Sequence, residues 1–321
     1  MTFLAYLIFI PLQIVWLPLS LLGVIMVGYR QLAVSKKLGV SQTAVEIING
    51  RWAMEVFGLR RDDAARKLAA DIPNNSVRGL WLTLFPLWLT HKILGMQFLY
   101  PTLPTPEKAA IANLVPSRTM VFDEIIETHL GDAAQFVVLG AGLDTRAYGT
   151  LKQSGVVIYE LDQAVDQAHK RKHLVAAKIE SSHVRFVEVD FSNGDWISSL
   201  LATDYDPEKK TIFLWEGVTL YLSKQAVVAT LSALIEHAAI GSVVVADIYA
   251  ERFVKLTKNK AIRWSLELTG EEIVFGLDCS TDAEQHLGNF VASQGLKLGK
   301  HQFLGSNHKN GPFMAVAEMV I

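Results

Sequence analysis

Four short apolar runs in this sequence each end in glycines or in an acidic residue. The first run is followed by Gly140-Ala141-Gly142, the second by Asp162, the third by Asp190-Phe191 and the fourth by Glu216-Gly217. Glycine lets a backbone turn tightly and approach a ligand, and an acid about 20 residues beyond such glycines can bind ribose hydroxyls. Each feature alone is common in turns and helix caps. Four such strand ends in succession predict one nucleoside-binding site.

The turn after the first run indicates which nucleoside binds. A dinucleotide fingerprint needs a third glycine where this sequence has Thr145. A pyrophosphate also prefers a helix N-terminus without a nearby carboxylate, yet Asp144 lies in the turn. S-adenosylmethionine has no phosphate and carries a sulfonium and an ammonium, which Asp144 and Glu216 would suit, and Arg118 could hold its carboxylate. We therefore predict S-adenosylmethionine as the cofactor, with an NAD-dependent oxidoreductase as the alternative.

A doubly wound α/β sheet would bring these residues together. From about residue 117, near-continuous apolar runs alternate with helical stretches such as Gln163–Lys178 and Lys224–Ala239, as in a parallel sheet covered on both faces. Ligands bind such sheets beyond the carboxyl ends of the strands. We predict a mostly parallel, Rossmann-like sheet of seven strands: Gln135–Leu139, Val156–Glu160, Val184–Val189, Thr211–Trp215, Ser242–Ile248, and a closing hairpin of Leu296–Phe303 and Phe313–Val320.

The chain begins with an apolar segment. Phe3–Tyr29 contains no charged residue, and a helix of that length, roughly 40 Å, exceeds the roughly 30 Å of hydrocarbon in a bilayer. Pro11 and Pro18 predict kinks, so a bent span and a shallow hairpin in one leaflet are both open, and a buried core helix is a further alternative. The positive-inside rule places the rest of the chain in the cytoplasm, because three basic residues follow at once: Arg30, Lys36 and Lys37.

Two further features divide the N-terminal third. Residues 41–70 are predicted to be helical, and the aromatic stretch Leu80–Leu89 is either an interfacial or lid element or an ordinary buried helix. Prolines at positions 101, 104 and 106 then mark a boundary. We predict a membrane anchor over residues 1–30, a helical lid or acceptor region over residues 31–115, and a cofactor-binding domain over residues 116–321.

Composition argues against several function classes. A formal charge of −2 offers no basic surface for nucleic acid, and the single cysteine, Cys279, cannot form an internal disulfide. His169 and His173 lie four residues apart, but no carboxylate or thiolate accompanies them, so we assign them, with Lys170, to a solvated basic helix face and predict no metal site. No nucleophile elbow or zinc-protease motif is present.

Longer motifs resemble the leucine carboxyl methyltransferase family and its bacterial relatives. The resemblance covers roughly residues 110–321 and is carried by these stretches: Arg118-Thr119, Val137–Tyr148, Tyr159–Gln163, Val189–Phe191, Trp215–Leu222 and Phe275–Asp278. It implies a class I methyltransferase fold that binds S-adenosylmethionine. Carried over residue by residue, it implies these roles: Arg118 for the methionine carboxylate, Gly140 and Gly142 for the amino-acid end, Asp162 for the ribose hydroxyls, Asp190 and Phe191 for the adenine, Glu216 beside the methionine moiety and Tyr221 near the acceptor pocket.

Methyl transfer from a sulfonium is an in-line displacement, for which an enzyme mainly aligns the reactants and excludes water. We expect O-methylation of a carboxylate or hydroxyl, with no catalytic acid or base assigned by spacing. The apolar N-terminal segments depart from the pattern that methylates a protein C-terminus, so we expect a small or lipophilic acceptor and a membrane-associated enzyme whose catalytic domain faces the cytoplasm. A non-catalytic membrane scaffold of the same fold is the other alternative.

Overall fold

The computed structural model describes residues 2–191 and 196–321. Within them, seven strands form one sheet: β1 (Gln135–Leu139), β2 (Val157–Asp162), β3 (Val184–Glu188), β4 (Thr211–Trp215), β5 (Val243–Tyr249), β6 (Lys297–Leu304) and β7 (Met314–Val320). Their order is β3-β2-β1-β4-β5-β7-β6. β1 to β5 pair in parallel, whereas β7 is antiparallel to β5 and to β6. The predicted α/β fold class is confirmed, including the closing hairpin.

The site must lie where the strand order reverses. β1 pairs with both β2 and β4, so the chain runs outward through β2 and β3 and then returns to the other side of β1 at β4. In a doubly wound sheet this reversal opens a crevice beyond the carboxyl ends of the central strands. β1, β4 and β5 are buried along their whole length, because helices cover both faces of the sheet.

Twelve α-helices surround this sheet within the described residues. They are α1 (Thr2–Tyr29), α2 (Ser35–Leu38), α3 (Gln42–Val56), α4 (Asp63–Asp71), α5 (Val77–Leu94), α6 (Leu114–His129), α7 (Ala164–Ala176), α8 (Trp196–Leu201), α9 (Lys224–His237), α10 (Glu251–Thr257), α11 (Lys260–Glu267) and α12 (Ala283–Ser293). Ser41, Asp62 and Ser76 cap α3, α4 and α5 by accepting the backbone N–H three residues further on. The region 41–70, predicted to be helical, is thus two helices that are separated at the Asp62 cap.

Alternate residues of β1 pack on opposite faces of the sheet. Val137 and Leu139 belong to one apolar cluster, whereas Phe136 and Val138 belong to a second, which α6 covers. A third cluster joins α3, α4 and α5 and also contains Leu143, in the turn after β1. The third cluster therefore fixes the N-terminal helices over the carboxyl edge of the sheet.

α1 is a continuous helix that contains Pro11 and Pro18, and a π-helical turn, Arg30–Val34, connects it to α2. Among the described residues, Phe3–Leu38 is the one helical stretch long and apolar enough to cross a membrane, and only 11% of its most apolar part is buried. α5, which contains the aromatic stretch Leu80–Leu89, is mostly half-buried and lies between α1 and the rest of the protein.

Candidate active site

The turn after β1 is held against the end of β2. Gly140 N and Ala141 N both donate to the Leu161 carbonyl oxygen at 2.9 Å, and Gly142 N donates to Asp162 Oδ2. Gly140 and Gly142 have φ angles of 73° and 42°, in the left-handed region that favours glycine. The two glycines and the acid that the sequence singled out therefore form one hydrogen-bonded unit.

Gly140 is also required by close packing. A Cβ added to it would lie 2.4 Å from Val218 Cγ2. We expect Gly140→Ala to lower the free energy of unfolding by about 1–3 kcal/mol more than Gly39→Ala does, because overpacking adds to the strain of a left-handed alanine. Gly39 is a matched control, since its φ is 69° and its Cβ would meet nothing within 4 Å. Urea denaturation of both variants measures the difference, and equal losses would contradict a packing role.

Glu216, at the end of β4, lies among three arginines. Its Oε2 accepts hydrogen bonds from Arg51 Nη2 at 3.1 Å and from Arg146 Nη1 at 2.5 Å, and its Oε1 lies 3.1 Å from Arg118 Nη2. Asp144 Oδ2 contacts the same Arg51 and Arg146 groups at 2.7 and 2.5 Å. Burial alone would raise the pKa of Glu216 and Asp144, but these guanidiniums hold both below their ordinary values. Both carboxylates are therefore charged at neutral pH.

Arg118 lies on α6 and is buried against the end of β5. Its Nη1 donates to Asp247 Oδ2 at 2.9 Å and to the Tyr249 hydroxyl at 2.5 Å. Burial alone would lower the pKa of Arg118, but Tyr249, Glu216 and Asp247 raise it above its ordinary value. Asp247 also accepts the Gly217 N–H at 3.0 Å. Arg118 thus ties α6 to the ends of both β4 and β5.

Several N–H donors of this arginine cluster have no acceptor among the described residues. They are Nε and Nη1 of Arg51, Nε of Arg118 and Nη2 of Arg146. Nearly all buried polar groups in folded proteins are hydrogen-bonded, and a guanidinium binds a carboxylate strongly. The cluster therefore fits a small anionic group such as the carboxylate of an amino acid.

The N-terminus of α3 covers the glycine turn. Ser41 N donates to Asp166 Oδ1 at 3.3 Å, and a Cβ on Gly142 would lie 3.6 Å from Ala44 Cβ. The narrow cavity between α3 and the turn is lined by these residues together with Leu143 and His169. Burial, reinforced by the nearby Asp162, raises the pKa of Asp166 to about 6. Access to the strand ends on this side therefore depends on α3.

The remaining predicted residues lie along the same edge. Val189 N donates to the Asp162 carbonyl oxygen at 2.9 Å. Asp190 and Phe191, which follow the end of β3, therefore lie beside the end of β2. The half-buried Phe191 ring lies 5.2 Å from that of Trp196. Tyr221 ends a 3-10 turn, Thr219–Tyr221, that follows Glu216, and burial raises its pKa. The predicted site residues thus converge on one edge, although their roles stay predictions.

The prediction that α7 carries a solvated basic face is wrong in part. Lys170 is 2% exposed, and its Nζ lies 2.7 Å from Glu160 Oε2. The Tyr148 hydroxyl donates to the same carboxylate at 3.0 Å. Both oxygens of the Glu160 carboxylate thus have partners inside the protein. Asp162 is therefore the acid at the end of β2 that could bind a ligand. His173 is also buried, and its Nδ1 lies 2.7 Å from Asp71 Oδ2.

Three residues at the centre of the cluster carry no predicted role: Arg51, Arg146 and Asp247. Arg146 lies inside the glycine motif Val137–Tyr148 that carries the family resemblance. The motif alone does not show that its guanidinium pairs with the acids of the cluster. Asp247 had a detectable signal, because it is a charged residue within the otherwise apolar strand Ser242–Ile248. Arg51 lies 93 residues from its partner Asp144, so no local pattern in the sequence pairs the two.

The chain is similar to known methyltransferases. A family model for leucine carboxyl methyltransferases matches residues 90–235. A relative from Mycobacteroides abscessus, named as a candidate S-adenosyl-L-methionine-dependent methyltransferase, is 34% identical over 139 residues, which span 43% of this chain and 45% of the relative. A similarly named protein of Mycobacterium tuberculosis is 29% identical over 271 residues and 81% of each chain. These matches confirm the predicted family resemblance.

Solved methyltransferase structures also align with the chain. Geranyl diphosphate C-methyltransferase from Streptomyces coelicolor is 13% identical, with a TM-score of 0.44 over 65% of this chain and 82% of that one. An O-methyltransferase family protein from Burkholderia thailandensis is 11% identical, with a TM-score of 0.41 over 64% of this chain and 59% of that one.

Proposed function

We propose that this chain, whose residues 90–235 match the leucine carboxyl methyltransferase family, transfers a methyl group from S-adenosylmethionine to an oxygen of a small, lipophilic acceptor. The observation that carries the proposal is the set of buried guanidinium donors without acceptors beside Glu216. They lie at the same strand edge as the glycine turn and Asp162. An amino-acid carboxylate at one end and ribose hydroxyls at the other match that arrangement.

The residues divide by the part of the cofactor that each would hold. Arg118 and Arg51 would bind the carboxylate, while Glu216 and Asp144 would attract the ammonium and the sulfonium. Asp162 would accept hydrogen bonds from the ribose, and Asp190 with Phe191 would flank the adenine. When bound, the cofactor supplies an electrophilic methyl group on sulfur. The protein's task is to align the acceptor oxygen with that methyl and to exclude water.

The acceptor side carries tyrosines and carboxylates. Burial and the nearby Glu46 raise the pKa of Tyr100 to about 12, and burial and Glu271 raise that of Tyr221. Both hydroxyls are therefore protonated, and two carboxylates face the same region. Burial and Glu271 also raise the pKa of Glu46, which makes its carboxylate a stronger proton acceptor than that of an ordinary glutamate. Because a hydroxyl acceptor needs such a base and a carboxylate acceptor does not, this lining favours a hydroxyl acceptor. Glu46 could then accept the hydroxyl proton.

The apolar helix α1 supports a lipophilic acceptor and attachment to a membrane. Its exposed side chains include Phe3, Ile14, Val15 and Ile25, each more than 60% exposed. A soluble protein rarely exposes a continuous apolar surface of this size. The basic residues after α1 support placing the catalytic domain on the cytoplasmic side.

Thermal-shift titration tests the cofactor. At a hundredfold excess over its Kd, S-adenosylmethionine should stabilise the protein by about 2.7 kcal/mol, or roughly 4 °C in Tm for a chain of this size. NAD should produce no shift. Labelled methyl transfer into lipid extracts, compared with water-soluble acids, then tests the acceptor. A shift with NAD alone would refute the methyltransferase, and transfer confined to soluble acids would refute the lipophilic acceptor.

A further inference from the structure

α1 lies against α5 along most of its length, and the two helices run antiparallel. Near the start of α1, the Tyr6 ring lies 5.0 Å from that of Phe98, which follows α5. In the middle, Trp16 Nε1 donates to the Leu82 carbonyl oxygen at 2.9 Å. Towards the end, a Cβ on Gly23 would lie 2.5 Å from the Gly79 carbonyl oxygen. Small residues at this crossing let the two backbones touch.

The other side of α5 packs on the catalytic body from one end to the other. Near its start, the Trp81 ring lies 5.5 Å from that of Trp52. At its end, the His91 ring lies 5.7 Å from that of Phe57. The C-terminal end of α1 is also fixed, because Arg30 Nη1 donates to the Pro73 carbonyl oxygen at 2.7 Å. Both ends of α1 therefore lie beside the same folded body.

This arrangement conflicts with a helix that crosses a bilayer. If α1 crossed, the end of α5 would lie roughly 30 Å from the cytoplasmic end of α1, and Phe57 would lie at the same depth. Phe57 is three residues, at most about 10 Å, from Arg60, whose guanidinium pairs with Asp123 at 2.6 Å. Charged groups of the catalytic body would then enter hydrocarbon, at a cost of several kcal/mol for each charge.

The exposed surface of α1 is too wide for a protein partner of the usual kind. The covered stripe recurs every three or four residues, at Ala5, Phe9, Leu12, Trp16, Ser20 and Gly23. The rest of the helix, roughly two thirds of its circumference, is apolar and exposed. A second copy of the chain would cover a further stripe, whereas acyl chains can surround the whole arc. A helix about 10 Å wide also fits within one leaflet, which is about half of the roughly 30 Å core.

Exposed basic residues border this surface. Arg30, Lys36 and Lys37 follow α1, while Arg78 and Lys92 lie near the two ends of α5. No acidic residue occurs before Glu46. Anionic headgroups attract such juxtamembrane cations. We propose that α1 and α5 dock in the plane of one leaflet of an anionic membrane, with both chain termini on the cytoplasmic side.

Docking in the plane rests on the membrane attachment in the proposed function but not on methyl transfer. The test uses the full chain with an epitope tag at each terminus, expressed in a bacterium. Both tags should resist protease in intact spheroplasts, and both should be cleaved in inverted membrane vesicles. Cleavage of the N-terminal tag in spheroplasts would overturn the proposal, because a spanning α1 would place that tag outside. The result is read without any activity, so it is separate from failure of the methyltransferase assay.

Vesicle flotation of the purified chain tests whether anionic lipid covers the exposed surface of α1. Replacing Arg30, Lys36 and Lys37 by glutamine should weaken binding to vesicles of phosphatidylcholine with 30 mol% phosphatidylglycerol by roughly hundredfold, at about fivefold for each charge. The matched control replaces three exposed lysines outside α1, α2 and α5, namely Lys209, Lys297 and Lys300, and should leave binding unchanged. A chain that stays in solution as a dimer and does not float would overturn the proposal, because a second copy would then cover α1.

Discussion

Asp162→Ala is expected to weaken the binding of S-adenosylmethionine by roughly hundredfold to ten-thousandfold. In the proposed site, the Asp162 carboxylate accepts two charge-assisted hydrogen bonds from the ribose, each worth about 1.5–3 kcal/mol. The same carboxylate also accepts the backbone N–H groups of Gly142 and Gln163, so its loss would loosen the glycine turn as well. Titration calorimetry of the purified variant measures the change in Kd.

A second substitution at Asp162 separates the effect of its charge from that of its contact with the glycine turn, and a surface substitution serves as the control. Asp162→Asn retains an acceptor for the Gly142 N–H but loses the charge, so an intermediate loss of affinity is expected. Asp63→Ala is the surface control, since Asp63 is half-exposed and pairs only with Arg66 and Lys67 on its own helix; its Kd should match that of the unmodified chain. An Asp162→Ala variant that stays folded and binds within a few-fold of the unmodified chain would contradict the site.

The sheet could be predicted because its central strands carry a local signal. β1 and β4 are buried on both faces and therefore read as continuous apolar runs with clear ends. The predicted ends of both strands are those observed. β2 extends two residues beyond its predicted end, to Asp162, because a charged residue at a strand end resembles a loop. The features that position the site were thus available from the sequence.

The charged cluster could not be predicted, because its pairs are formed by the fold. Arg51 meets Glu216 only after α3 packs over the sheet edge, and 165 residues separate the two. Lys170 was assigned to solvent because its neighbours in the sequence are basic, yet the buried Glu160 requires a cation. Charge pattern along a helix does not reveal which side chain turns inward when its partner lies on a strand.

The orientation of α1 in a membrane likewise could not be predicted from the sequence. Its composition is compatible with a span, a helix in one leaflet or a core helix, since all three are apolar. The contacts of α5 with α1 on one side and with α3 on the other are what favour, in our proposal, a helix in one leaflet. Those contacts join segments more than 25 residues apart, which hydropathy alone cannot pair.

Arg146→Met is expected to lower the free energy of unfolding by about 3–5 kcal/mol at pH 7, as breaking a buried ion pair usually does. The Arg146 guanidinium lies 2.6 Å from Asp123 and 2.5 Å from both Asp144 and Glu216. Without it, three carboxylates face one another with fewer cations. Urea denaturation measures the loss. Arg185→Met makes the same change in an exposed pair with Asp204 and should cost at most about 1 kcal/mol.

The pH dependence of this loss distinguishes a charge effect from a packing effect. Arg146 helps to hold the pKa of Asp123, Asp144 and Glu216 below their ordinary values. Such depressed groups stabilise the fold above their unfolded pKa values, and that stability is lost as the pH falls through the folded ones. The difference between Arg146→Met and the unmodified chain should therefore be largest near pH 7 and should shrink below about pH 4. A difference that stays constant from pH 7 down to about pH 2, through the depressed pKa values of these carboxyls, would mean that the methylene packing of Arg146, rather than its charge, stabilises the cluster.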